Sequence, residues 1–178
     1  MNTLFVCTGN ICRSPTAERL ASAGAARLGI HDLTVSSAGI RAVVGHPIHH
    51  HAAAVLESLG GNPNMFAARR LTRDIAMAAD LILTMTRGQR DTVLTIAPQA
   101  LRRTFTLGEA ALLASDPNLT SVAELAAARP RLPARQVPEV PDPLGKDVDF
   151  FMTVGAQIAE LLQPVLRFCA RIGDVPAP

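Results

Sequence analysis

Apolar positions along the chain alternate between short continuous runs and stretches with helical spacing. Thr3 to Cys7 is a short apolar run that ends in a loop rich in Gly, Asn, Ser and Pro. Ser14-Pro15 then supplies an N-cap residue type followed by proline at the first helical position. Ala17, Leu20, Ala21, Gly24 and Leu28 recur at helical spacing until Gly29. These features predict strand, loop, helix. Leu33 to Ser37 predicts a second strand, and Ile48 to Leu59 a helix closed by Gly60-Gly61. Asp80 to Thr84 predicts a third strand, Thr86 to Ala97 a helix, Arg103 to Leu107 a fourth short strand and Gly108 to Ser115 a short helix. Between Ser115 and Val140 the rhythm weakens: an Ala-rich helical piece spans Val122 to Ala128, and Pro130, Pro133, Pro138 and Pro141 follow in close succession. From Asp147 onward, Phe151, Val154, Ile158, Leu161, Leu162, Val165 and Cys169 predict a C-terminal helix, which Pro164 is expected to kink or divide.

Strands alternating with helices predict an α/β three-layer sandwich, a central four-stranded parallel sheet with helices on both faces. In such sheets ligands bind in the crevice beyond the carboxyl ends of the strands, so the loop after the first strand is the place to look. At 178 residues, 48% of them hydrophobic, the chain fits one domain over residues 1–178. Arg, Asp, Gly and Pro interrupt every hydrophobic stretch before it reaches the roughly twenty apolar residues of a membrane span, and Leu4-Phe5-Val6 lacks the flanks of a secretion signal. Three cysteines form a poor disulfide framework. The expectation is a soluble protein of a reducing, cytoplasmic compartment. A net charge of +2 with intermingled signs gives no polybasic arm and no aromatic-basic alternation, so nucleic acid is not indicated as a partner.

The chemistry is concentrated in Cys7-Thr8-Gly9-Asn10-Ile11-Cys12-Arg13-Ser14, where five residues separate a cysteine from an arginine between a strand and a helix N-terminus. A loop curling at this point turns successive backbone N–H groups inward, and the helix adds its positive end, which together hold a tetrahedral dianion. Gly9 and Asn10 are types that tolerate left-handed backbone. The planar fork of Arg13 can grip two phosphate oxygens, and a thiolate of Cys7 at the centre of this field can attack phosphorus. The plainer alternative, a structural cysteine at a strand end, does not account for the Gly-Asn turn and the helix start that surround it.

In this loop, CTGNICRSPTAE, the chain resembles the low-molecular-weight protein tyrosine phosphatases, whose Cys-x5-Arg-Ser loop follows the first strand. Ser36-Ser37-Ala38-Gly39, Ala68-Arg69-Arg70-Leu71-Thr72, the run Ala79 to Met85 and Pro141-Asp142-Pro143-Leu144-Gly145 extend the likeness over most of the chain. It is weakest over about 110–137, where this chain is longer than typical members. The resemblance implies a two-step hydrolysis of a phosphorylated protein or small phosphomonoester without a cofactor. Cys7 attacks while Asp142 protonates the leaving oxygen, and Asp142 then activates water against the phosphocysteine. It further implies that Thr8 to Ser14 form the phosphate-binding loop, with Asn10 holding its backbone, Ser14 donating to Cys7 and Ser37 bracing it from the second strand.

The pocket rim departs from the family. Ile40, Arg41 and Leu144 stand where members acting on phosphotyrosine carry aromatic walls, so the pocket either takes that substrate through aliphatic contacts or serves another. Phe66 replaces a histidine that in many members ties the loop down, which implies a lost hydrogen bond and a looser loop. Ile11 favours the tyrosine type, because relatives acting on phosphoarginine tend to carry Thr there. Cys12 is placed to form a reversible disulfide with an oxidised Cys7, while Cys169 falls on an apolar helix face as packing. His46, His49, His50 and His51 read as pocket rim rather than a metal site, since adjacent histidines point in different directions and no Cys or carboxylate stands beside them. The competing functions are an arsenate reductase on the same scaffold, which needs further cysteines to pass a disulfide outward, and a non-catalytic phosphate or phosphopeptide sensor. Composition and motifs do not fix the oligomeric state.

Overall fold

The computed structural model describes residues 1–133 and 136–173. Four strands, β1 (Asn2–Cys7), β2 (Thr34–Gly39), β3 (Leu81–Thr84) and β4 (Thr104–Thr106), form a parallel sheet in the order β2-β1-β3-β4. Helices α1 (Arg13–Leu28), α2 (His50–Ser58), α3 (Arg73–Met77), α4 (Arg87–Ile96), α5 (Leu107–Ala114), α6 (Val122–Ala128) and α7 (Val148–Gly173) cover its two faces. The period-two geometry of a strand explains how. Phe5 and Cys7 of β1, with Leu81 and Leu83 of β3 and Phe105 of β4, meet residues of α1, α2, α5, α6 and α7 in the larger core. Leu4, Val6 and Ile82 point the other way, toward Leu71, Ala76, Val93 and Ala100.

Because β1 has β2 on one side and β3 on the other, the chain leaves β1 in one direction and returns in the other, and the end of β1 opens into the crevice of a topological switch point. Cys7 is the last residue of that strand. Polar side chains cap several of the helices. Thr86 and Gln89 form a reciprocal cap on α4, Thr106 and Glu109 another on α5, and Ser121 and Glu124 a third on α6. Gln89 also donates from Nε2 to Thr8 Oγ1 (3.0 Å), which ties α4 to the loop after β1.

Several expectations change. Ser14 is not the cap of α1: the helix starts at Arg13 with Cys12 in the cap position, and the Ser14 hydroxyl turns to Cys7 instead. Pro15 still falls in the first turn, where a missing N–H costs no helical bond. Pro164 does not divide α7, which runs unbroken through it. Helix α2 begins at His50, so His46 and His49 share no helix edge. Helix α3 and the 3-10 turn Pro98–Arg103 were not expected. Within residues 110–137, Leu125 and Ala128 of α6 are buried in the larger core. Among the described residues, no helix is long and apolar enough to cross a membrane.

Gly108 of α5 lets the segment that leads to Asp142 lie directly on the helix, because a Cβ there would stand 2.1 Å from the Pro138 carbonyl oxygen. Backbone cannot yield as a side-chain tip can. Gly108→Ala is therefore expected to lower the unfolding free energy by about 1–3 kcal/mol, read from urea denaturation midpoints; an unchanged midpoint would show that the segment is free to move.

Candidate active site

The loop after β1 is shaped by what its carbonyls bond to. Cys7 O accepts from Ile40 N (3.0 Å), Thr8 O from Arg41 N (2.9 Å), Gly9 O from Val43 N (2.9 Å) and Ile11 O from His49 N (2.7 Å). Cys12 O accepts from both the backbone and the hydroxyl of Thr16. In a trans peptide N–H and C=O point in opposite directions, so carbonyls drawn outward leave N–H groups facing the hollow that the loop encloses. One of them, Asn10 N, donates to Cys7 Sγ at 3.3 Å. Gly39 permits the close approach of the segment receiving these carbonyls: a Cβ there would meet Thr8 O at 2.7 Å and Asn10 Cβ at 3.0 Å.

Asn10 is fully buried with φ 56°, in the left-handed region, and its side chain uses both faces of its amide. Nδ2 donates to Ser14 Oγ (2.9 Å) and Ser37 Oγ (2.8 Å), and Oδ1 accepts from Arg69 N (2.9 Å). Ser14 Oγ lies 3.0 Å from Cys7 Sγ. Ser37 Oγ donates onward to Glu18 Oε2 (2.6 Å), and Arg69 Nε donates to Ser37 O (2.8 Å). Glu18, Arg69 and Thr16 were missed as loop supports. The only sequence signal for them is polarity beside the motif. Phe66 makes no such bond; its ring lies under Arg19, whose guanidinium carbon is 5.7 Å from the ring centroid. The polar groups of Asn10 and Ser37 are nevertheless engaged, by Glu18 and Arg69, so the replacement of histidine by Phe66 does not leave the loop untied.

A pocket of 220 Å³ opens above Cys7, floored by Thr8, Gly9, Cys12 and Arg13. Its walls are Ile11, Arg41, Val43, Asp142 and Leu144. Ile40, expected at the rim, instead packs against the core on the sheet's other face, and Val43, not expected, takes the wall beside Ile11. Arg13 is 4% exposed and reaches the far segment twice, donating from NH1 to Val140 O (3.2 Å) and from NH2 to Asp142 Oδ2 (2.5 Å). Its Nε is buried and has no protein partner among the described residues. Asp142 is 49% exposed, and its Oδ1 accepts from Leu144 N at 3.2 Å. Val140 N donates to Met85 O, which anchors this segment beside the end of β3.

His49, His50 and His51 do not line the pocket; their rings stack on one another and on Phe151, with His49 and Phe151 5.0 Å apart. Burial first, then His50 and His51, pull the His49 imidazole below its usual range. Among the described residues no three His, Cys, Asp or Glu side chains are grouped to hold a metal ion. A larger cavity of 410 Å³ lies at the opposite end of the sheet, where Met1, His31, Asp32 and Cys169 line it. Burial pushes the Cys169 thiol there up to about 12. Cys12 is pushed to about 12 as well, by burial first and then by Cys7 and Asp142, with Arg13 opposing. All three cysteines are free and buried, so a relay passing a disulfide outward finds no exposed thiol.

A sequence model described as low molecular weight phosphotyrosine protein phosphatase matches residues 2–132. The chain belongs to this family. It is a hydrolase of the low-molecular-weight phosphatase type. The Escherichia coli K12 protein named low molecular weight protein-tyrosine-phosphatase Etp is 40% identical over 106 residues, which are 60% of this chain and 68% of that one. A structure of the YwlE arginine phosphatase, a Cys-to-Ser mutant with a phosphorylated active-site serine, superposes with a TM-score of 0.76 at 27% identity, covering 94% of each chain. The low molecular weight protein tyrosine phosphatase from T. tengcongensis gives a TM-score of 0.75 at 27% identity, covering 94% of this chain and 98% of that one. Asp142 lies beyond the span that the family model matches, and it meets Arg13 at the loop.

Two outcomes follow for stability. Asn10→Ala removes two donors and an acceptor from a buried network and leaves alanine at positive φ; with about 1–3 kcal/mol for each stranded group, a loss of roughly 2 kcal/mol or more is expected in denaturation, and a loss near zero would show that the network is dispensable. Cys12 and Cys169 stay protonated in the fold at a pH where an unfolded thiol ionises, so the stability they contribute is complete below pH 9.0 and is lost as pH rises toward about 12. Unfolding free energy measured from pH 8 upward should fall less steeply in a Cys12→Ala, Cys169→Ala double variant than in wild type, and equal slopes would refute the assignment.

Proposed function

We propose that the protein hydrolyses phosphate monoesters, phosphotyrosine in proteins foremost, through a phosphocysteine on Cys7. The observation that carries this reading is the meeting, in one pocket, of a buried sulfur, a loop with outward carbonyls and an Arg13-Asp142 pair from opposite ends of the sequence. The phosphoryl group enters the loop, where N–H groups and the guanidinium of Arg13 take its equatorial oxygens; Arg13 Nε is a buried donor left for one of them. Cys7 Sγ attacks in line, a sulfur–phosphorus bond forms, and the ester bond breaks as Asp142 delivers its proton to the leaving oxygen. Asp142, now a carboxylate, takes a proton from water; the water oxygen attacks phosphorus and the sulfur departs as thiolate, with Ser14 Oγ beside it to donate a hydrogen bond. Inorganic phosphate leaves. The phosphorylated serine in the related YwlE mutant supports placing the covalent intermediate at the loop's first residue.

The substrate side of the pocket supports an aryl ester. Ile11, Val43 and Leu144 offer aliphatic surface on which a ring can lie. A phosphorylated guanidine would set polar N–H groups against the same surface and approach the like charge of Arg41. We also read residues 1–178 as one catalytic domain, with α6 as part of its core.

Cys7→Ser is expected to abolish turnover of an aryl phosphate, and rapid acid quench of wild type should find phosphate on Cys7. Asp142→Asn should lower kcat for phosphotyrosine by about 10²–10⁴, and less for a p-nitrophenyl ester, whose leaving oxygen needs little protonation. Wild-type rates in the serine variant would sink the mechanism; faster turnover of phosphoarginine than phosphotyrosine would sink the substrate assignment.

A further inference from the structure

Arg41 has no task in the steps above, although it lines the pocket mouth. It stands two residues beyond the end of β2, and its backbone N–H is pinned to Thr8 O at 2.9 Å, so its backbone is fixed to the phosphate loop itself. Its side chain is exposed. Among the described residues no ion pair or hydrogen bond engages its guanidinium, whereas Arg13, the other cation of the pocket, is paired with Asp142. The remaining walls, Ile11, Val43 and Leu144, are uncharged and supply nothing to neutralise it. The mouth thus carries one uncompensated positive charge, on a side chain whose backbone is anchored beside the path of the entering substrate.

We propose that Arg41 is a specificity-determining residue that binds a carboxylate on the residue next to the phosphorylated one, so that the enzyme selects acidic phosphotyrosine peptides. This rests on the phosphotyrosine reading of the site. Consecutive Cα atoms are about 3.8 Å apart, so with a phosphotyrosine ring between the aliphatic walls the neighbouring side chain lies over the rim rather than in the pocket. A carboxylate there meets a planar fork with several donors. The contact is made equally in ground and transition states, so it appears in KM rather than in kcat. Being exposed, it is modest and screened by salt.

The test uses matched phosphotyrosine peptides with Glu or Gln flanking the phosphorylated residue. At low ionic strength, wild type should favour the Glu peptide by about fivefold in kcat/KM, mostly through KM, and the preference should shrink in 0.5 M salt (roughly a 4 Å screening length). Arg41→Gln should bring the ratio near one, Arg41→Glu should reverse it, and Arg41→Lys should retain part of it. A wild-type ratio of one, or a ratio unchanged in Arg41→Gln, overturns the proposal. Dissociation constants of the same two peptides for Cys7→Ser separate the two readings. A Glu preference in binding with no turnover by wild type would remove the hydrolytic function and leave the role of Arg41 standing, while turnover with equal binding would do the reverse.

Discussion

The amide of Asn10 holds the site in shape. A residue with φ 56° is unfavourable for most side chains, and asparagine is among the few that adopt it with little strain. Here the left-handed turn reverses the chain after Gly9, and the side chain then bonds to three separate elements: Ser14 at the start of α1, Ser37 on β2 and the backbone of Arg69. With the turn fixed, the carbonyls on both sides face outward and find the N–H groups of residues 40–49. The inward N–H groups, the position of Ser14 beside Cys7 Sγ and the helix axis aimed at the pocket all follow from that one reversal. Glu18 extends the network by accepting from Ser37, which fixes the hydroxyl so that its lone pair faces Asn10.

The second half of the site is brought in by packing rather than by hydrogen bonding within a motif. Asp142 is 129 residues from Arg13 in sequence. It arrives because Pro138 lies flat on Gly108 of α5, Val140 bonds to the end of β3, and the long helix α7 then carries the chain back across the same face of the sheet. The sheet order places the ends of β1 and β3 side by side, so a segment anchored to Met85 is necessarily near the loop after Cys7.

This division explains what could be read from the sequence. The phosphate loop is local, a strand end, a turn and a helix start within a dozen residues, and residue types alone expose it. The four strands and the long helices were legible because their apolar spacing is sustained. Helix α3, with five residues, and the 3-10 turn at Pro98–Arg103 are too short for periodicity to register. Ser14 misled because a serine before a proline has the composition of a cap, while its hydroxyl is claimed by Cys7 and Asn10. Ile40 misled for a reason of register: side chains alternate at the end of β2, and one position decides whether an apolar residue faces the mouth or the opposite core. Val43 takes the wall because it comes two residues beyond Arg41 on the segment that receives the loop's carbonyls. An apolar Val43-Val44 pair within a predicted loop was the available signal.

The Arg13-Asp142 contact also constrains how the site can work. A guanidinium that holds a carboxylate at 2.5 Å offers that edge to no other anion, so in the proposed mechanism a phosphoryl group entering the loop competes with Asp142 for it. The competition is favourable in two respects. The dianion brings more charge to Arg13 than a carboxylate does, and it is met also by the backbone N–H groups, which Asp142 at the rim is not placed to use. In the proposed mechanism Asp142 is released from Arg13 as the phosphoryl group arrives, and half its surface is already in solvent. On the same proposal the pair re-forms when phosphate leaves, and Arg13, otherwise a buried cation, regains its counterion. In the proposed mechanism, phosphoryl binding and the release of Asp142 are thereby linked through a single side chain, Arg13.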